Sequence, residues 1–273
     1  MSLAAITSLR RNLAEWAERP ANQRFLQRDQ EVVLQGAIGQ PGRETQTHVA
    51  AWMLGTWHLG RGFLRVLDGD GRGFDEARQG QTLRRCSLLL RERHQQPARR
   101  GSASRLPFSQ LQGSLTALLG LALHDPGAEP LYELLRRQPD GAFDDAAELP
   151  LFVRELLTLR AGERPVVTHR LGPWHDVFAH WDGEPRLFAQ RIAALLDMHL
   201  QQVRAKGSPF DDPPCQLYPV EALAIRAVRD WLELPTPKIE HPLMFTNLVT
   251  MVPDPVWPSH DLAQQLERQL RRR

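Results

Sequence analysis

The stretch DGEPRLFAQRIAALLDMHLQQVRAKG, residues 182–207, reads as a helix in its periodicity, its start and its stop. Phe188, Ile192, Leu195, Leu196, His199 and Val203 recur at three- and four-residue intervals and so fall on one face. Asp182 offers an N-cap oxygen, Glu184 adds negative charge to the first turn, and Pro185 stands where a missing N–H costs little. Arg204, Lys206 and Gly207 supply a cationic last turn and a stop. Each large apolar side chain buried on such a face contributes about 1.5–3 kcal/mol before chain entropy is subtracted. The polar residue on the face, His199, is either a core histidine with a hydrogen-bond partner or a functional group.

Downstream, SPFDDPPCQLYP, residues 208–219, reads as a proline-rich surface loop. Pro219 then opens a helix whose face is Ala222, Leu223, Ile225, Ala227, Val228, Trp231 and Leu232. Pro235, Pro237 and Pro242 make an extended connector, and Ser259 caps a last helix that runs into Arg271. Upstream, 173–181 reads as a short helix, and Val166, Val167 and Thr168 form a β-branched cluster too short to found a sheet. Residues 144–160 and 108–124 are strongly apolar helices, and Pro126 and Pro130 open a shorter one through Arg137. Near the N-terminus, Ile6, Leu9, Leu13 and Trp16 place a helix over 3–18 that stops at Pro20, and 22–35 reads as a second.

Helical spacing continues through 43–67, where Gly55, Gly60 and Gly62 interrupt it. Each glycine costs up to about 1 kcal/mol against alanine inside a helix, so either another helix crosses closely there or the helix bends. The following LDGDGRGFD, residues 67–75, has the look of a calcium loop. Counted from Asp68, however, the position that needs a bidentate glutamate holds Gln79, so this is a connector. After it come a helix over 76–94 and a mobile surface segment, HQQPARRGSASRLP at 94–107. The expectation is an all-α fold, a single helical domain of about ten helices packed as antiparallel pairs, with halves at 1–138 and 139–273.

At 273 residues the chain can bury a core without metal or disulfide support. Cys86 and Cys215 lie far apart in unremarkable contexts, which fits a reducing cytoplasm. MSLAAITSLRRNLAEW is amphipathic rather than a basic stub before an apolar run, and no window approaches a membrane span, so neither a signal peptide nor a membrane role is expected. The net charge is +2, and the only lysines are Lys206 and Lys238, an arginine skew that reads as a codon effect. Charge is uneven: 84–105 holds seven arginines against Glu92, whereas 140–163 holds six acidic residues against Arg154 and Arg160. The asymmetry sets the electric face a partner meets, or else reflects ordinary solvated helix faces. The basic 94–107 segment lacks interleaved aromatics, so direct nucleic-acid binding is not expected.

The sequence carries no G-x-S-x-G elbow, Walker loop, H-E-x-x-H or Glu-x-x-His motif. His169, His175, Asp176, His180, Asp182 and Glu184 form the densest polar cluster. His175 and His180 are five apart, too far round one helix to chelate together, so a metal would need another segment to close the site. No catalytic residue, metal or cofactor is therefore expected, and the chain is not read as an enzyme.

Two segments, WDGEPRLFAQRIAALLDMHLQQVRA and, after a gap, LYPVEALAIRAVRDWLELPTPKIEHPLM, resemble the C-terminal half of bacterial polymorphic-toxin immunity proteins, in particular the immunity protein 49 class. Asp182, Phe188, His199, Pro219, Ala222, Leu223, Ala224 and Ile225 occupy the places of the recurring pattern. The resemblance implies a cytoplasmic antitoxin that binds a cognate secreted toxin, encoded by a neighbouring gene, and blocks it. The toxin would be a nuclease effector of a type VI or contact-dependent secretion pathway. A nuclease exposes a basic cleft, so carboxylates are the expected contacts: Asp140, Asp144, Asp145 and Glu148 on one stretch, Asp182, Glu184, Asp211 and Asp212 around the 182–207 helix. The alternative is a helical scaffold or adaptor that holds a peptide in an inter-helix groove. A third reading, a metal enzyme built on His175, His180 and Asp182, would show stoichiometric metal.

Overall fold

The structure is a computed structural model that describes residues 3–99, 109–139, 143, 148–203, 205, 208 and 210–271. The described residues are all-α, with no strand among them. In chain order the helices are α1 (Leu3–Glu18), α2 (Pro20–Asn22), α3 (Gln30–Ala37), α4 (Glu44–Leu67), α5 (Gly73–Arg99) and α6 (Ser109–Leu123). There follow α7 (Glu129–Arg136), α8 (Glu148–Arg160), α9 (His175–Ala179), α10 (Pro185–Gln202), α11 (Val220–Trp231), α12 (Asn247–Thr250) and α13 (Asp261–Arg271). Among the described residues no helix is long and apolar enough to cross a membrane. The chain forms two compact units that interleave along the sequence: one takes 4–103, 125–127 and 246–273, the other 1–3, 104–124 and 128–245.

The first unit is built on the α4–α5 hairpin. A tight turn at 68–72 reverses the chain, and Arg65 grips Asp70 within it, its Nε donating at 3.0 Å. Of the interrupting glycines, Gly55 and Gly62 are contact points. A Cβ on Gly62 would fall 2.5 Å from the Ala77 nitrogen and the Gly73 oxygen, and one on Gly80 would fall 2.5 Å from the Gly55 oxygen. The two backbones therefore touch, which decides for a close crossing. Leu34, Ala50, Leu54, Leu83, Cys86, Leu90 and Leu266 make the core beside it.

Three arginines on α5 are buried, and two of them, Arg78 and Arg85, hold the last segment of the chain. Arg85 donates to Asp125 at 2.8 Å and to Glu267 of α13 at 2.7 Å. Arg78 donates to the carbonyl oxygens of Asp254 and Val256 and lies over the Trp257 ring. Arg84 stacks on Trp52 at 4.1 Å. The basic run at 84–105 thus begins inside the protein, so Arg84 and Arg85 show no charge to a partner. Burial also pushes the Cys86 thiol up to about 12, which leaves it a packing residue.

Several boundaries differ from the sequence reading. The α5 helix starts three residues earlier and runs to Arg99, into what reads as loop, while 100–107 lie outside the described residues. The 22–35 helix is interrupted by a π-helical stretch, Gln23–Asp29, before α3. On α3, Gly36 is exposed, and a Cβ added there would have nothing within 4 Å. Gly36→Ala is expected to raise stability by about 0.5–1 kcal/mol through the entropy of the unfolded chain, measured as a higher urea midpoint at unchanged slope.

In the second unit α11 packs on α6 and α8, and α10 meets α9 and α11. An aromatic series runs through it: Phe152 stacks on Trp174 at 5.5 Å, Phe178 lies near both Phe152 and Trp181, and Trp181 meets Phe188 edge-on at 5.9 Å. The face predicted for 182–207 is the buried one, with Phe188, Ile192, Leu195, Leu196, His199 and Val203 all in the core. The cap is a correction. Glu184, not Asp182, occupies the N-cap, and no side chain bonds the helix start, because Pro185 leaves one donor fewer to satisfy.

The 208–219 segment is also corrected: Phe210, Cys215, Leu217 and Tyr218 are fully buried within it, so its backbone follows the core. Turns at 211–218 and the short 3-10 stretch Pro213–Cys215 let a proline-rich chain do this. On α11, Trp231, expected on the apolar face, is 64% exposed, whereas Glu221 and Arg229 are buried.

Candidate functional site

His199 sits in the last turn of α10, completely buried, and its Nδ1–H donates to Glu221 of α11 at 3.0 Å. Its Nε2–H donates to the Gln216 carbonyl at 3.2 Å, and Phe210 covers the ring at 4.3 Å. A neutral imidazole has one N–H, so acceptors at both nitrogens call for the protonated ring. Burial by itself pushes the imidazole down, but the Glu221 charge and hydrogen bond, with the Gln216 and Cys215 carbonyls, outweigh it and hold the ring above its ordinary value. His199 is a structural residue with its partner.

The predicted acidic contributors fall in different places. Asp140, Asp144 and Asp145 lie outside the described residues. Glu148 opens α8, half-buried, with its carboxylate against Gly172 where a Cβ would otherwise go. Asp182 and Glu184 are exposed on the turn that leads into α10, and Asp211 is exposed just beyond that helix. Asp212 is half-buried and accepts from the Cys215 thiol at 3.7 Å. Because α10 has 18 residues, the two acidic pairs stand at opposite ends of a rod of about 27 Å. They do not form one patch.

The 182–184 turn is fixed from beneath. Arg229 of α11 donates to the Trp181 carbonyl and, through Nη2 at 2.8 Å, to the Pro235 carbonyl. Its guanidinium lies 4.4 Å from the Phe188 ring centre, so both charge and stacking hold it in place. The Gly183 N–H closes the turn on the His180 carbonyl at 3.0 Å. Asp182 and Glu184 are thus carried on a rigid element, with their carboxylates in solvent.

The histidine cluster separates into two parts. His180 turns back, its Nδ1–H donating to the Asp176 carbonyl at 2.8 Å. His169 and His175 stack, centroids 5.1 Å apart, across the kink at Gly172. Beside them is an open cavity of about 370 Å³. His169, His175, Asp176 and Arg191 give it a polar wall, and Pro173, Ala194 and Leu195 an apolar one. Asp176 lies 3.4 Å from His175 Nδ1 and 3.3 Å from Arg191 Nη1. Among the described residues no group of three or more His, Cys, Asp or Glu side chains converges as a metal site.

Comparison of the chain with protein-family models, with curated proteins and with solved structures found no match. Two features escaped the sequence reading. The His169–His175 stack depends on a kink at Gly172 that ordinary spacing rules do not foresee, and Arg191 on α10 reads as a solvated helix charge. The positive φ of 52° at Gly172, inside a helical stretch, is the backbone feature that brings the two rings together.

Proposed function

We propose that the chain is an immunity protein, which binds a cognate secreted toxin in the cytoplasm and neutralises it. The toxin is a nuclease effector of a type VI or contact-dependent pathway, in keeping with the resemblance of the segments around α10 and α11. The observation that supports this reading best is the acidic turn. Asp182 and Glu184 are exposed, adjacent and anchored to the core through Arg229. Carboxylates held this way lose little freedom on docking, and they attract a basic nuclease cleft over a Debye length of about 8 Å at physiological salt. Of the residues that carry the resemblance, Asp182 is exposed and Leu223 half-buried, while Phe188, His199, Pro219, Ala222, Ala224 and Ile225 are buried. The buried ones therefore define a scaffold, and the exposed residues between them are left to select the partner.

The test is co-expression with the product of the adjacent gene, scoring growth and then co-purification. Rescue with a stable complex supports the proposal; a neighbour that is harmless alone, or that kills equally well in the presence of this protein, removes it. Within a complex, the Asp182→Ala, Glu184→Ala double variant is expected to weaken binding about tenfold, chiefly through slower association, and to flatten the salt dependence of the association rate. Unchanged affinity when Asp211, Asp212, Asp140, Asp144, Asp145 and Glu148 are replaced as well would end the acidic-contact idea.

A further inference from the structure

The cavity beside α10 has room for a small ligand. At about 370 Å³ it lies at the small end of the range that takes metabolites, and one wall is polar while the other is apolar. Its polar wall is dominated by donors. Arg191 is engaged by Asp176 at Nη1, at 3.3 Å, and among the described residues its Nε–H meets no acceptor. Nε and Nη2 share the opposite edge of the guanidinium, and that edge takes a carboxylate in two parallel hydrogen bonds. The Arg191 side chain is 40% exposed, so a ligand carboxylate exchanges water for a charged, forked partner.

The stacked imidazoles of His169 and His175 face the same space, and His175 keeps its Nε2 for it because Nδ1 is turned to Asp176 at 3.4 Å. The charges that oppose an anion are Asp176, already engaged by Arg191, and Glu148, whose carboxylate lies against Gly172 at the cavity lining. Their presence favours a singly charged planar group over a phosphate dianion. We propose that this cavity binds a small carboxylate-bearing molecule, its carboxylate on Arg191 and the His169–His175 pair and its carbon skeleton on Pro173, Ala194 and Leu195. The site stands on the cavity and does not depend on the immunity reading.

The experiment is calorimetric titration of the full chain with acetate, succinate and inorganic phosphate, alongside the imidazole proton resonances of His169 and His175. Succinate or acetate is expected to bind with a Kd of about 1 mM or below and to shift both histidines. Arg191→Gln removes the charged edge, and Ala194→Phe fills the cavity while keeping every charge. Each is expected to weaken binding by about tenfold or more while far-ultraviolet circular dichroism and the thermal midpoint stay near wild type. Arg191→Lys, which keeps the charge and loses the fork, recovers only part of it. No heat and no shift with either carboxylate up to about 20 mM, or equal binding by Arg191→Gln, overturns the proposal. Phosphate binding tighter than both carboxylates overturns the assignment of ligand class.

Discussion

Glu221→Ala is expected to destabilise the chain by about 3–5 kcal/mol, read as a fall in the urea midpoint. The reason is the position of the pair: both side chains have no exposed surface, and His199 donates to Glu221 at 3.0 Å and to the Gln216 carbonyl at 3.2 Å. Removing the carboxylate leaves an imidazolium in the core without its counter-charge. The ring must then give up its proton: Nε2–H still serves the Gln216 carbonyl, and Nδ1 is left buried without its partner. Glu221→Gln keeps the volume and an acceptor oxygen, so it costs less. The double variant His199→Leu, Glu221→Leu removes both charges, and it is expected to be more stable than Glu221→Ala alone, because an apolar replacement of a whole buried pair is often neutral. A loss below about 1 kcal/mol for Glu221→Ala would show that the pair is not the tie between α10 and α11 that its geometry implies.

The pH dependence has a definite sign. The folded value of His199 is raised, so the pair's contribution is complete below the unfolded imidazole value of about 6.5 and is lost as pH rises through the raised folded value. The gap in stability between wild type and Glu221→Ala is therefore expected to be widest in mild acid and to narrow on the alkaline side. A gap that widened with pH would contradict the protonated ring. Neighbouring His241 moves the other way: burial lowers it, and Asp197 only partly offsets this, so its contribution runs opposite to that of His199. The comparison between variants, rather than the wild-type curve alone, isolates the pair.

What the sequence showed and what it hid divide along physical lines. The apolar face of α10 was legible because a three-four repeat survives any choice of neighbours. The partner of His199 was not. Glu221 stands in the first turn of α11, where a glutamate is ordinarily a solvated charge favoured by the helix dipole, and only the fold turns it inward. The 208–219 loop hid its burial in the same way: its prolines and aspartates signal surface, yet Phe210 and Tyr218 are the residues that set its depth. Arginine content was equally opaque, since a guanidinium buried beside Asp125 and Glu267 looks no different in sequence from one in solvent. The exposed turn at Asp182 and Glu184 was readable as acidic, but its rigidity comes from Arg229, forty-odd residues on. Gly172 lines the cavity with a positive φ that sequence spacing does not encode.

Gly62→Val and Gly80→Val are each expected to cost more than about 4 kcal/mol, beyond the 1–3 that overpacking usually costs. The difference lies in what a new side chain would strike. At Gly62 the first obstacles are the Ala77 nitrogen and the Gly73 oxygen, both at 2.5 Å, and at Gly80 they are the Gly55 oxygen at 2.5 Å and the Leu59 nitrogen at 2.6 Å. These are backbone atoms of the facing helix, so no rotamer change relieves the clash. The helices themselves must separate, by about 1 Å, and a gap of that size forfeits a quarter to a half of each dispersion contact along the seam. That seam includes Leu54 on α4 and Leu83, Cys86 and Leu90 on α5, so the cost spreads well beyond the substituted position. At roughly 2–4 °C per kcal/mol, the thermal midpoint of the transition that reports this unit should fall by about 8 °C or more. Gly36→Ala, on an open surface, moves in the opposite direction, which separates loss of helix spacing from any general effect of replacing glycine in a helix. Midpoints for Gly62→Val and Gly80→Val within about 2 °C of wild type would mean that α4 and α5 do not touch through their backbones, and the close-crossing account of these glycines would fall with it.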